Sequence, residues 1–317
     1  IGNTILRIGQ VVDNTGTQQP PTTGGVNVQP YGIQLRNCEG VQATNNTVEE
    51  SRALGTGASA GILVENKSTG STITFTGVAV TDNTLRNNEN RGIAVFLADG
   101  SVALTDITLE ALVVDGNTIH QHDDSGVYIQ LQGVVKLNNT KVDGNSIQSI
   151  ANTSEGYIFL EAVATADPEL RGLSVSGNNI YDPDGVGVDG IVLEMGILQV
   201  QEGVSLLNNN IKFDGTSGAT GIAVNEDNSS MIFLNGLNIS GNTLTSVGLT
   251  GINIIHDHID ACTINSNNFF LQESQGITFS GSVYTNVTVD GNTYKGDGLN
   301  SLGLLLMSIN DGGSEIP

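Results

Sequence analysis

Tryptophan is absent from the 317 residues, and only two cysteines, three methionines and six prolines occur. Two cysteines cannot staple a disulfide scaffold. No run of 18 apolar residues is present, so no helix of the chain is expected to insert in a membrane. Basic residues are also scarce: 11 Lys and Arg stand against 33 Asp and Glu, a formal net charge of −22. Nucleic acid and anionic membrane both demand a basic face, so neither is expected as a partner. The charge instead suits solubility outside the cell and attraction of divalent cations. Aromatic residues make up 4% of the chain, few for the ring platforms on which sugar-processing clefts hold their substrates.

What the chain has in abundance is Gly, 41 of them, together with Asn, Thr and Ser, residue types that favour turns. They recur in order. The stretch 112–131, LVVDGNTIHQHDDSGVYIQL, holds an apolar-x-apolar-x-x-Asn-x-apolar half and a Gly-apolar-x-apolar half. The Asn recurs as Asn3, Asn46, Asn83, Asn117, Asn145, Asn178, Asn209, Asn242, Asn267 and Asn292, always with an apolar or aromatic residue two places later. The Gly recurs as Gly32, Gly61, Gly92, Gly126, Gly156, Gly190, Gly221, Gly251, Gly276 and Gly303, with apolar or aromatic residues one and three places on. Gly32 to Gly303 is 271 residues over nine intervals, a mean period of about 30, which marks a repeat architecture.

Within each apolar run the period is two and β-branched residues dominate, so the units are strands. The expected fold is all-β: a right-handed parallel β-helix of about ten coils with three strands per coil. A third strand fits at Ile73 with Phe75, Val102 with Leu104, Val135 with Leu137 and Ile232 with Leu234. Leucine-rich repeats also place Asn at a fixed position, but their spacing and shorter period do not fit. Residues 1–317 form one solenoid domain: 1–31 an incomplete first coil with a long surface excursion, 32–306 regular coils, 307–317 the C-terminal end. The chain opens IGNTIL, without an initiator Met or signal peptide, and is expected to be a processed or excerpted piece. Its first residues carry an Asn half and its last coil a Gly half, which leads to an expectation of head-to-tail or lateral self-association.

In such a stack each Asn lies over the Asn of the next coil, its amide bonding along the column and to turn carbonyls. The residue before it is Gly, Asn, Asp or Ser, types that tolerate a left-handed corner. Cys38 and Cys262 belong to coils far apart and are expected to be free thiols.

The strand V-x-V-x-x-N-x-I followed by G-I-x-V resembles the repeats of right-handed parallel β-helix proteins, the pectin-lyase-like superfamily, over essentially the whole chain. That resemblance implies a range of activities: polysaccharide lyases, hydrolases and epimerases, phage tailspikes, and surface adhesins and passengers. Enzyme signatures are missing. Asp123-Asp124 is the only Asp pair, no G-H-G or R-I-K occurs, and Asp182-Pro183-Asp184-Gly185 lacks the His and Glu of an epimerase D-P-H-E. No catalytic residue is assigned; Arg91 and Arg171 are the candidates for a lyase base. The four histidines form two pairs, His120 with His122 and His256 with His258, read as solvated turn residues or, alternatively, as ligand or acid–base pairs. Asp124, Glu155 and Asp189 precede their Gly anchors on three successive coils, and Asp182 and Asp184 lie close in sequence. These carboxylates read first as plain surface charge; brought close enough, they would alternatively share a proton as a catalytic pair or take a hard cation such as Ca²⁺. Leu63, Ala94, Tyr128, Ile158, Val192, Ala223 and Leu305, at the outward middle of the Gly strand, read as an apolar stripe for a partner. The function expected is an extracellular or cell-surface structural or adhesive module, a filament or fibre subunit, or a protein that meets a glycan. A polysaccharide lyase, hydrolase or epimerase and a tailspike-like fibre are the alternatives.

Overall fold

The computed structural model describes residues 4–6, 31–36, 39–51, 59–66, 73–98, 107–150, 155–163, 168–183, 187–195, 200–214, 218–225, 234–246, 248–270, 275–281, 283–296 and 302–309. The long excursion, the Cys38 thiol, Val102 with Leu104, and Asp184 fall outside them.

Every strand pair is parallel, and among the described residues there is no helix. Short apolar runs with a period of two can bury only alternate side chains, so each run must stack on the same run of the next coil. It does so in three sheets. The asparagine sheet has ten strands, from Thr4–Leu6 through Thr118–His122 to Thr293–Lys295. The glycine sheet also has ten, from Tyr31–Arg36 through Val127–Gln132 to Leu302–Ile309. The third sheet has fifteen, because most coils lay two short segments in it, such as Ile107–Glu110 and Val113–Asp115. The two segments fuse into single strands at Leu234–Ser240 and His258–Asn265. The chain is thus a parallel β-helix with up to four strand segments per coil.

Inward columns follow from this register. Val80, Val114, Val142, Val175, Leu206, Ile239 and Ile264 stack on one wall and Leu85, Ile119, Ile147, Ile180, Ile211 and Leu244 on the next. All are at most 1% exposed, and one continuous core cluster extends from Leu35 to Phe279. Burial of each such aliphatic side chain contributes roughly 1.5–3 kcal/mol.

Two corners turn the coil by the same means. The residue before each ladder Asn has φ near +60°: Asn45, Asp82, Gly116, Gly144, Gly177, Asn208, Gly241, Ser266 and Gly291. A second left-handed column, between the two segments of the third sheet, holds Gly40, Gly77, Ala111, Asn139, Gly172, Gly203, Gly236, Ala261 and Asn286. Each member of the second column stands five residues before its partner in the first. Ala at 111 and 261 adopts this backbone with a Cβ, at a cost of roughly 1–2 kcal/mol. The Gly anchor answers a different need. A Cβ on Gly190 would lie 2.9 Å from the Ile211 Cγ2 of the next coil and closer still to the Gly221 carbonyl oxygen.

Three expectations are corrected by the register. In the fifth Gly strand Tyr157, not Gly156, stands in the anchor column: Gly156 pairs with Asp189, and Ile158 pairs with Val127 and Ile191. Ile158 therefore faces the core and Phe159 faces out beside Tyr128 and Val192. The third-sheet strand expected at Val102 and Leu104 is formed by Ile107 and Leu109, which align with Ile73 and Phe75. The outward stripe is not an open surface either. Leu63, Ala94, Tyr128, Val192 and Ala223 are at most 4% exposed in the folded chain.

Candidate functional site

The most extended polar construction is the column Asn46, Asn83, Asn117, Asn145, Asn178, Asn209, Asn242, Asn267 and Asn292. From Asn83 on, the Oδ1 of each Asn accepts two hydrogen bonds from the preceding Asn, one from the main-chain N–H and one from Nδ2, at 2.9–3.1 Å. The second Nδ2 proton goes back to a core-wall carbonyl of the coil before: Asn117 to Val80, Asn145 to Val114, Asn178 to Val142 and Asn209 to Val175, all 2.9 Å. Two donors and two acceptor sites are therefore filled on each interior amide, which is how a polar side chain sits in an apolar core without penalty. The left-handed residue just before each Asn aims the amide inward along the axis.

The expected acidic column divides in two. Asp124 and Glu155 occupy equivalent turn positions on successive coils, in line with Ser59 and Asn90. Ser59 Oγ donates to Asn90 Oδ1 at 3.0 Å, and Asn90 Nδ2 donates to Asp124 Oδ2 at 3.0 Å. Asp189 lies in the adjacent column, paired with Gly156, and accepts the Thr220 N–H at 2.6 Å. Asp182 is fully buried at the end of an asparagine-sheet strand, aligned with Phe213. Among the described residues no three His, Cys, Asp or Glu side chains come together to hold a metal ion.

Around Asp124 and Glu155 the outer face of the glycine sheet carries a cluster of polar contacts. Arg91 reaches past the intervening coil to Glu155, Nη2 to Oε1 at 2.7 Å, and its guanidinium lies 3.7 Å from the Tyr128 ring centroid. Ser125 Oγ also donates to Glu155, at 2.7 Å. The Tyr128 hydroxyl donates to Glu161 at 2.5 Å, and Phe159 stacks on the Tyr128 ring at 5.6 Å. Burial, then the neighbouring Glu155 charge, raises the Asp124 carboxyl; burial raises Asp189; and burial, then the Glu161 hydrogen bond, raises the Tyr128 hydroxyl. Arg171, the other basic candidate, is exposed and pairs with Glu169 and Glu202.

The histidines differ from solvated turn residues in half the cases. His122 is fully buried at the end of its asparagine-sheet strand, Nε2 3.3 Å from the Leu85 carbonyl oxygen. His256 is buried against Gln201, Nε2 3.0 Å from Oε1, while its Nδ1 accepts the His258 N–H at 3.2 Å. Burial lowers both imidazoles to about 4. Gln201 interrupts an apolar column between Leu170 and Leu234, and this is the only sequence sign that a core histidine has a partner. Cys262 is a buried free thiol, pushed up to about 12 by desolvation. Among the described residues no helix is long and apolar enough to cross a membrane.

No protein family matches this chain, and no curated protein matches it in sequence.

Proposed function

We propose that this chain is a rigid structural or adhesive rod that acts outside the cell or at its surface. The observation that carries this reading is the unbroken ladder from Asn46 to Asn292, which couples each of these coils to the next. Each coil fixes the next through main-chain pairing on three sides and through two further bonds in the core. A solenoid built this way resists bending and presents long flat faces, here with a net charge of −22, at a fixed distance from any attachment point. The high charge keeps such rods apart and soluble. Contacts with other copies or with a glycan would be made by these faces.

A second reading rests on the cluster at Asp124, Glu155, Arg91 and Tyr128. Two carboxylates on adjacent coils, one raised and one held by an arginine, beside stacked aromatic rings, are groups that acid–base chemistry on an acidic glycan requires. One experiment separates the two. The purified chain is incubated with a panel of acidic polysaccharides, with and without Ca²⁺, while unsaturated products, reducing ends and chain length are followed. The rod reading expects no product from any of them and an elongated particle in small-angle scattering. Turnover that disappears in Asp124→Asn and Glu155→Gln would replace it by the second reading. Light scattering on the same sample gives the mass, and an obligate trimer would point to a tailspike-like fibre instead.

A further inference from the structure

Gln201 and His256 are polar residues in columns that are otherwise apolar. Gln201 stands between Leu170 and Leu234 in the third sheet. His256, five residues after its glycine anchor, holds the place that Leu97, Leu131 and Met195 hold on earlier coils. Both residues are at most 2% exposed. They meet each other: His256 Nε2 donates to Gln201 Oε1 at 3.0 Å, and Gln201 Nε2 donates on to the Met195 carbonyl at 3.3 Å. Gln201 precedes Asn209 and His256 precedes Asn267, with the Asn242 coil between them. This link therefore ties two coils that the ladder joins only through an intermediate.

The bonding pattern fixes the protonation state. Nδ1 of His256 accepts the His258 N–H at 3.2 Å, so one ring nitrogen must carry a proton and the other a lone pair. Only the neutral imidazole completes the chain. A second proton would set Nδ1–H against the His258 N–H and put a charge in the core. The same turn is pinned to the following coil by two main-chain bonds, His256 N–H to the Ser280 carbonyl at 3.0 Å and Val283 N–H to the Asp257 carbonyl at 2.7 Å. Among the described residues the charged neighbours of the ring are Asp257 and His258 on its own turn, the first favouring and the second opposing an imidazolium; burial outweighs both. From the strands packed against the turn, Gln201, Met195 and Ser280 present neutral groups, and the Tyr284 phenol reaches the corner beside the His256 carbonyl. Glu202 and Asp260 are engaged elsewhere, with Arg171 and with Thr285.

We infer that the His256–Gln201 link is an acid-released latch: a proton on the imidazole breaks it and opens the corner at residues 256–258 ahead of the rest of the β-helix. In neutral medium the latch is closed and the two coils are held together. As the pH falls from 6.5 toward 4, opening is favoured because only the open corner accommodates the charged ring.

Residue-resolved amide exchange on the intact chain tests it, with each rate corrected for its intrinsic pH dependence. Between pH 6.5 and pH 4.5 the protection of the main-chain N–H at position 256 should fall by more than about tenfold. That of the Ser174 N–H, bonded to the Thr140 carbonyl at 2.9 Å in a coil that holds neither residue, should persist. In His256→Leu/Gln201→Leu, which makes both columns apolar, the N–H at position 256 should lose this pH dependence. A parallel fall at both amides, no fall at position 256, or a fall that survives in the variant overturns the latch. Should the variant fail to fold, the imidazole nitrogen-15 shifts of the wild type decide. The latch requires the neutral Nε2–H tautomer at pH 6.5 and protonation that coincides with the loss of protection. A proton on Nδ1 at pH 6.5, or protonation with the corner still protected, overturns it.

Discussion

Asn178→Leu and Asn179→Leu change neighbouring residues, yet they should differ by several kcal/mol. Asn178 is fully buried, and its removal withdraws the acceptor of the Asn145 N–H and of one Asn145 Nδ2 proton, and the donor to the Val142 carbonyl. Three buried groups left unpaired at ~1–3 kcal/mol each put the loss on the order of 5 kcal/mol. Asn179 faces solvent and makes one exposed bond, accepting from Asn210 Nδ2 at 2.8 Å. Its replacement should stay within ~0.5 kcal/mol of wild type. Asn178→Asp is a third arm: it keeps the acceptor for Asn145 but sets a carboxylate against Asn209 Oδ1 and the Val142 oxygen, both of which take a proton from Asn178 now. It should fall with the Leu variant rather than with wild type. Denaturant titration is the assay, with amide exchange alongside, because a solenoid can lose coils locally before it unfolds as a whole. Equal shifts for Asn178→Leu and Asn179→Leu would refute the reasoning.

Three further outcomes are expected. Ala111→Gly and Ala261→Gly should each stabilise the chain by roughly 1 kcal/mol, because both alanines hold a left-handed backbone that glycine adopts freely; a loss of stability in both would contradict the second corner column. His122 and His256 are lowered from 6.5 to about 4, so the unfolded chain binds more protons between those values. Stability should be full above pH 6.5 and fall toward pH 4 by up to about 3 kcal/mol per histidine. A flat profile from pH 7 to pH 5 in denaturant titrations would sink this. In a Cys38→Ser chain, Cys262 should resist thiol reagents at pH 8 until denaturant is added, since burial holds its thiol up at about 12; labelling at the rate of a free thiol would contradict its place in the core.

Much of this was legible in the sequence, for reasons that differ by element. The ladder and its corner were readable because one residue type repeats at Asn46 to Asn292 and its predecessors are all types that tolerate positive φ. The second corner column was not read, since Gly77, Ala111 and Asn139 share a conformation and no side-chain chemistry; their constant distance of five from the next left-handed residue was the available signal. Gly156 misled because a glycine happens to precede Tyr157, and register is decided by the neighbouring strands rather than by identity. That one-residue slip turned Phe159 outward and set Asp189 in a different column from Asp124 and Glu155. Burial of His122, His256 and the stripe at Leu63 and Ala94 depends on which chain segments close over them, which periodicity does not encode.

Exchange of the side-chain amide protons is the most direct test of the central claim, that a hydrogen-bonded asparagine spine ties the coils into one rod. Nuclear magnetic resonance on amide-labelled protein resolves the Nδ2 protons of ladder and surface asparagines in a single sample. The account predicts strong protection for Asn83 through Asn267, weaker protection at the half-buried Asn292, and rapid exchange at the exposed Asn179 and Asn210. Ladder amides that exchange as fast as Asn179 and Asn210 would contradict it.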